Sequence, residues 1–170
     1  MRPALLGLLA AGLFSAEVAV AQPCATSVDQ GAFDTMALKS ELMVVALTCE
    51  ARPQYNEFVE QFRPDLAREE HALDSWFNHA YGRRARTMHD EYVTNLANAE
   101  SDVGLRRGTL FCQDHANLFQ TVLRLRGAEQ LVSFASHRVQ PQPIVLAACT
   151  QARPTGTPTR RVLKTAQKGR

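Results

Sequence analysis

The stretch that most constrains the fold is residues 32–50, which read AFDTMALKSELMVVALTCE. Its first half is polar with apolar residues at helical spacing, and the run Met43–Leu47 is then apolar on every side. A helix that is apolar around its whole circumference is a buried helix. We therefore expect this helix at the centre of the fold, with Asp34 or Thr35 as its N-cap.

The first 21 residues have the features of a secretory signal peptide. Arg2 supplies a positive start, Ala4–Phe14 form an apolar run, and Ala19–Ala21 form a small-x-small cleavage site. The apolar run is shorter than the roughly 20 residues that a membrane-spanning helix needs. We expect cleavage after Ala21, export to the periplasm or the exterior, and no transmembrane segment in the mature chain.

Four cysteines remain in the mature chain, namely Cys24, Cys49, Cys112 and Cys149. Thiols oxidise outside the cytosol, and an even number of cysteines in a small exported protein predicts disulfides. None of the four belongs to a C-x-x-C pair, so neither a thioredoxin-like nor a zinc-ribbon site is indicated. Cys112 and His115 have the spacing of a nucleophile and its base on one helix, but a structural disulfide is the favoured role for Cys112.

Apolar spacing predicts a series of helices within residues 22–149, which we interpret as one helical domain. We expect main helices at 32–50, 65–81, 83–103 and 109–126, with short helices at 53–62 and 128–139. No segment alternates with the period of a strand between hairpin turns. The predicted fold class is all-α, a compact helical bundle of four main helices plus one or two short ones, stapled by two disulfides.

The order of the helices bears on the cysteine pairing. Four cysteines allow three pairings. If the main helices run up and down, the first one ends where the helix at 109–126 begins, which favours Cys49–Cys112. Cys24 and Cys149 then pair at the other end, where the apolar residues 144–148 are expected to lie extended against the body.

Charge is distributed unevenly along the chain. The whole chain carries a net charge of +2, whereas residues 22–149 carry −4 and residues 150–170 carry +6 with no acidic residue. The last segment is rich in Pro, Gly and Thr, so we expect a disordered basic tail. Clustered cations attract polyanions, which makes the tail a candidate anion-binding segment. Its basic residues are Arg153, Arg160, Arg161, Lys164, Lys168 and Arg170.

The densest polar cluster of the domain is Glu69, Glu70, His71, Asp74 and His79. Such side chains can bind metal ions, but the H-E-x-x-H and Glu-x-x-His signatures are absent. A solvated helix face is therefore favoured over a metal or catalytic site. The glycine-rich phosphate-binding signatures, G-x-S-x-G and C-x-x-C-H are also missing. No catalytic residue, metal ligand or cofactor is predicted.

Three segments resemble small exported α-helical proteins of alphaproteobacteria that have no assigned function. They are residues 38–49 (LKSELMVVALTC), 55–59 (YNEFV) and 92–98 (YVTNLAN). The resemblance covers about 32–149 and implies export and a helical domain, without any catalytic residue.

The sequence thus favours an exported, disulfide-stabilised protein with a non-enzymatic binding or envelope-associated role. Its expected partner is an envelope protein or a polyanion, and the export signal argues against nucleic acid. The alternative is a small metal-dependent or hydrolytic enzyme that uses the polar face Glu69–His79.

Overall fold

The structure is a computed structural model and describes residues 23–149. The predicted signal peptide and basic tail lie outside these residues. Within them the chain is helical, with one isolated β-bridge and no strand, so the all-α prediction is confirmed. The helices are α1 (Ser27–Thr48), α2 (Arg52–Gln61), α3 (Arg63–Tyr81), α4 (Ala85–Arg107), α5 (Phe111–Asp114), α6 (Leu118–Val122) and α7 (Gly127–Ser136).

The central helix α1 begins earlier than the sequence analysis predicted. Thr26 is its N-cap: the Thr26 hydroxyl accepts the Asp29 N–H at 3.2 Å, and the Asp29 carboxylate accepts the Thr26 N–H at 2.8 Å. This reciprocal pair satisfies backbone donors that a helix start otherwise leaves free. The prediction of Asp34 or Thr35 as the N-cap was therefore wrong, because the T-x-x-D pattern lies in a stretch without apolar periodicity.

Helix α1 lies at the centre of the domain, as its apolar circumference predicted. Phe33, Leu38 and Leu42 are completely buried, and α3, α4 and α7 pack around the helix. The ring of Phe33 contacts Trp76 and Tyr92 edge-on, with centroids 5.0 and 5.1 Å apart. Such edge-on aromatic contacts add to the stabilisation from buried area alone.

Prolines separate the helices that follow. Pro53 and Pro64 stand in the first turns of α2 and α3, where the missing N–H costs no hydrogen bond. Phe62 ends α2, is also the N-cap of α3, and is buried. The predicted short helix and second main helix are thus both present.

The predicted main helix at 109–126 was wrong, because the structure has two short helices there. Between α5 and α6 the backbone changes to i→i+3 bonds, including Leu118 N–H to the His115 carbonyl at 3.0 Å. The turn lets both Phe111 and Leu118 enter the core. The last helix also ends at Ser136, before the predicted end at residue 139, and Val139 is fully exposed.

The two ends of the described chain are joined. Ala25 N–H donates to the Ala147 carbonyl at 2.7 Å, and Cys149 N–H donates to the Ala25 carbonyl at 2.9 Å. Disulfides link Cys24 to Cys149 beside these bonds, and Cys49 to Cys112 at the other end of α1. This is the pairing that the up-and-down arrangement favoured. None of the helices in residues 23–149 has the length and apolarity needed to cross a membrane.

Candidate functional site

The structure disperses the polar face that the sequence analysis singled out on α3. Glu69 is buried, Glu70 accepts from Lys39 of α1 at 3.1 Å, and His71 and His79 are exposed. No group of three or more potential metal ligands occurs within residues 23–149. The cluster therefore does not form a joint site in this part of the chain.

One member of that face, Asp74, forms a specific pair. His89 of α4 contacts the Asp74 carboxylate through Nδ1 at 2.8 Å and stacks on the Phe77 ring, with centroids 5.2 Å apart. Nδ1 is thus the ring nitrogen that faces the carboxylate. Nε2 is buried and has no hydrogen-bond partner in the described residues. The pair borders an open cavity of about 380 Å³ that Asn78 and Arg86 also line.

A larger charged group lies deeper in the fold, and we call it the Glu41 cluster; its members are Glu41, Glu100, His115, Arg138 and Gln140. The Glu41 side chain is buried, and it accepts from Arg138 Nε at 3.0 Å and from Gln140 Nε2 at 3.1 Å. Arg138 also bonds Glu41 through its second guanidinium nitrogen, which makes the ion pair bidentate. The cluster thus ties the chain after α7 to the centre of α1.

His115 adds an imidazole ring to this cluster. Its Nδ1 lies 2.7 Å from the Phe111 carbonyl oxygen, and its Nε2 lies 3.2 Å from Oε1 of Glu41. The His115 ring therefore lies between the backbone of α5 and the buried carboxylate of α1.

Glu100 of α4 is the least satisfied member of the cluster. It is only 3 % exposed, and its Oε1 has no hydrogen-bond partner in the described residues. The pKa of Glu100 is raised to about 7, mainly by burial and also by Glu41, while Arg138 opposes both. A buried carboxyl with a raised pKa is typical of functional sites, and also of structural ion networks. Here its neighbours hold the C-terminal segment in place.

The Glu41 cluster fixes the segment that leads to Cys149. Beyond Gln140, Gln142 accepts from the Tyr92 hydroxyl at 3.0 Å and donates to the Phe33 carbonyl at 3.3 Å. Sequence reasoning missed this cluster because its members come from distant parts of the chain. One signal was available: a carboxylate on a helix predicted to be buried needs a partner.

The remaining candidate residues have structural partners or lie outside the described chain. Cys112 is in a disulfide and His115 bonds Glu41, so they do not form a thiol–base pair. Arg107 pairs with Asp114 at 3.5 Å. The six basic residues of the tail lie beyond residue 149. In comparisons with known proteins, no family model, curated protein or solved structure matches this chain.

Proposed function

We propose that this protein is exported and acts as a non-enzymatic binding protein of the cell envelope. In this proposal the signal peptide is removed after Ala21, and the helical body holds a basic tail that binds anionic envelope polymers or lipid surfaces. The observation that carries the proposal is the fixed position of Cys149, the residue directly before the tail.

Three separate contacts support a fixed starting point for the tail. The disulfide to Cys24 holds Cys149 covalently, and the bond from the Cys149 N–H to the Ala25 carbonyl orients its backbone. Upstream, the Glu41 cluster anchors the chain at Arg138 and Gln140. These contacts exceed what is needed to terminate α7, and they fix the position of Cys149.

Charge also supports the proposal. Near an anionic lipid surface each Lys or Arg contributes about 1 kcal/mol, so six clustered cations bind appreciably at low salt. The body carries a net charge of −4, but many of its acids already have partners. Those partners include Lys39, Arg63, Arg68, Arg107 and Arg138. An external polyanion therefore offers the tail a denser negative charge than its own body does.

The cysteines support the part of the proposal that places the protein in an oxidising compartment. Both disulfides fit an oxidising environment, and all four described cysteines are used in them. The resemblance to small exported alphaproteobacterial proteins points in the same direction. N-terminal sequencing of the exported protein checks the cleavage, with Gln22 as the expected first residue.

Binding to lipid vesicles tests whether the basic tail binds anionic surfaces. The mature chain is expected to bind phosphatidylglycerol vesicles at low salt, to be released at high salt, and to ignore phosphatidylcholine vesicles. A variant with all six tail cations replaced by Gln is expected to lose this binding.

A control variant replaces six exposed arginines of the body by Gln, and it is expected to keep the binding. Those arginines are Arg83, Arg84, Arg86, Arg106, Arg107 and Arg124. Equal retention of the mature chain and the tail variant, or loss of binding in the body variant alone, contradicts the proposal.

The alternative, a small metal-dependent or hydrolytic enzyme, has one observation in its favour. An aspartate that orients a histidine, as Asp74 does His89, forms two members of a hydrolytic triad. However, Nε2 of His89 is buried, and no hydroxyl or thiol of residues 23–149 bonds to it. Nε2, the atom of His89 that would act as the base, is therefore out of reach of a substrate, so we rank this function second.

A further inference from the structure

A small cleft between α1 and α4, closed on one side by α2 and α3, has the composition of a ligand site. Its volume is about 170 Å³. The walls are Met36 and Met43 of α1 and Val93 and Leu96 of α4. Ligand sites are mostly apolar with a few converging polar groups, and this cleft fits that description.

The polar groups of the cleft converge at one edge. Lys39 and Glu70 form an ion pair with Nζ and Oε2 3.1 Å apart, and the half-buried Tyr55 lies beside them. Burial raises the pKa of Tyr55, Lys39 lowers it, and Glu70 raises it. The Tyr55 hydroxyl therefore stays protonated at neutral pH and is available as a donor. Ser40 also lines the cleft, and its buried Oγ has no partner in the described residues.

The volume limits the size of the ligand. A cavity of about 150 Å³ in another protein holds one benzene molecule, so this cleft takes an apolar group of roughly that size. Methionine side chains adapt to different shapes and contact aromatic rings favourably. Met36 and Met43 thus suit a small aromatic or short branched aliphatic group.

The edge of the cleft limits the charge of the ligand. The Lys39 ammonium has donors to spare after bonding Glu70, but the Glu70 carboxylate cancels its charge. An anionic head group would be attracted by Lys39 but repelled by Glu70. A cationic head group would be attracted by Glu70 but repelled by Lys39. A neutral hydroxyl or carbonyl can bond Lys39 or Tyr55 without either penalty.

We propose that this cleft binds a small neutral amphiphile, with an apolar part about the size of a benzene ring and one hydroxyl or carbonyl head. The site is separate from the basic tail and does not depend on it.

A matched set of probes tests the proposal on the mature chain. Benzyl alcohol, benzoate and benzylammonium share an aromatic ring and differ in head-group charge. The readout is the NMR signal of the methionine methyl groups, because Met36 and Met43 line the cleft whereas Met88, near the start of α4, does not. We expect benzyl alcohol to shift the Met36 and Met43 signals saturably, with a dissociation constant on the order of 1 mM. Benzoate and benzylammonium should bind at least about fivefold more weakly.

Two variants with the same new side chain on the same helix locate the site. Val93 is half exposed at the rim of the cleft, so Val93→Phe should cover it and weaken benzyl alcohol binding about tenfold or more. Leu105 is exposed and lies away from the cleft, so Leu105→Phe should leave binding unchanged. The variant with six Gln in the tail should also bind unchanged, which separates this site from the proposed tail function.

Several results overturn the proposal. They are methionine signals that do not move, equal shifts at Met36, Met43 and Met88, binding of a charged probe as tight as that of benzyl alcohol, and equal losses in the two Phe variants. If Val93→Phe fails to fold, the comparison of Met36 and Met43 with Met88 in the unmodified chain still decides the question.

Discussion

Glu41 and Glu100 are both buried, on α1 and α4, but they have very different partners. Glu41 accepts from Arg138 and Gln140 and contacts His115, whereas the buried Oε1 of Glu100 has no hydrogen-bond partner among the described residues. Burying a carboxylate without donors is costly, so Glu100 keeps its proton to a higher pH than usual. The pKa of Glu100 is about 7, compared with 4.5 for an unperturbed glutamate.

This difference predicts how stability depends on pH. Below pH 4.5 Glu100 is protonated in both the folded and the unfolded chain, so it costs nothing. Between pH 4.5 and about 7 the unfolded chain loses the proton while the folded chain keeps it, so the free energy of unfolding falls as pH rises. The loss reaches about 3 kcal/mol and is complete above pH 7. Urea unfolding at pH 4.5 and pH 8 measures it.

Glu100→Gln is expected to remove this contribution. The variant should be more stable than the parent chain at pH 8 and about equal to it at pH 4.5. Glu57→Gln, at an exposed position of α2, is the control and should change neither value by more than about 0.5 kcal/mol. A Glu100→Gln variant whose stability difference from the parent is the same at both pH values contradicts the assignment.

At the scale of the helices, α1 and α7 approach each other at Gly31. A Cβ at this position would lie 2.8 Å from Cγ1 of Val132, whereas a Cβ at Gly104 of α4 would meet the Phe111 ring at an ordinary 3.7 Å. Both glycines are in helices, where Ala is intrinsically favoured by up to about 1 kcal/mol. The two positions therefore separate helix propensity from close packing.

Gly31→Ala is expected to lower the free energy of unfolding by about 1–2 kcal/mol, because the overlap with the stiff Val132 side chain outweighs the gain in propensity. Gly104→Ala is expected to raise it by up to about 1 kcal/mol. Denaturant unfolding measures both. Adding Val132→Ala to the Gly31→Ala variant should restore part of the lost free energy of unfolding. A Gly31→Ala variant as stable as the Gly104→Ala variant would falsify the close α1–α7 contact.

The helices also show what could be predicted from the sequence. Continuous apolar stripes were sufficient to predict α1, α3 and α4, because the buried face of each of these helices follows from its own local sequence. The break between α5 and α6 could not be predicted, because His115 turns toward Glu41 of another helix. The start of α1 was predictable from Thr26 and Asp29 but has no apolar signal. Local capping and long-range polar contacts, rather than hydrophobic spacing, account for these differences.

At the scale of the whole molecule, the two disulfides constrain different parts of the fold. Cys49–Cys112 joins the end of α1 to α5 within the bundle and closes 63 residues. Cys24–Cys149 closes 125 residues but joins only segments outside the helices. The order of the helices in the bundle was enough to favour this pairing, because the pairing depends on topology and not on the details of packing. The candidate site was not predictable in the same way, because the Glu41 cluster assembles only in the folded chain.

Removal of each disulfide is expected to have a different effect. Replacing Cys49 and Cys112 by Ser should lower the free energy of unfolding of the whole domain by about 4 kcal/mol in the chain-entropy model. Replacing Cys24 and Cys149 by Ser should act locally, since the end segments can detach while the helices stay packed. Hydrogen exchange should then speed up first at the amides of Ala25 and residue 149. A uniform increase over all helices in the second variant would contradict this division.

The joined ends of the body have one more consequence. The Cα atoms of Cys24 and Cys149 are 4.7 Å apart, so the folded body begins and finishes at a single point on its surface. Domains of this kind are suited to circular permutation and to insertion into a loop of a host protein. A reporter joined directly before Pro23 or directly after Cys149 would start at the same end of the body, away from the Cys49–Cys112 disulfide at the other end of α1.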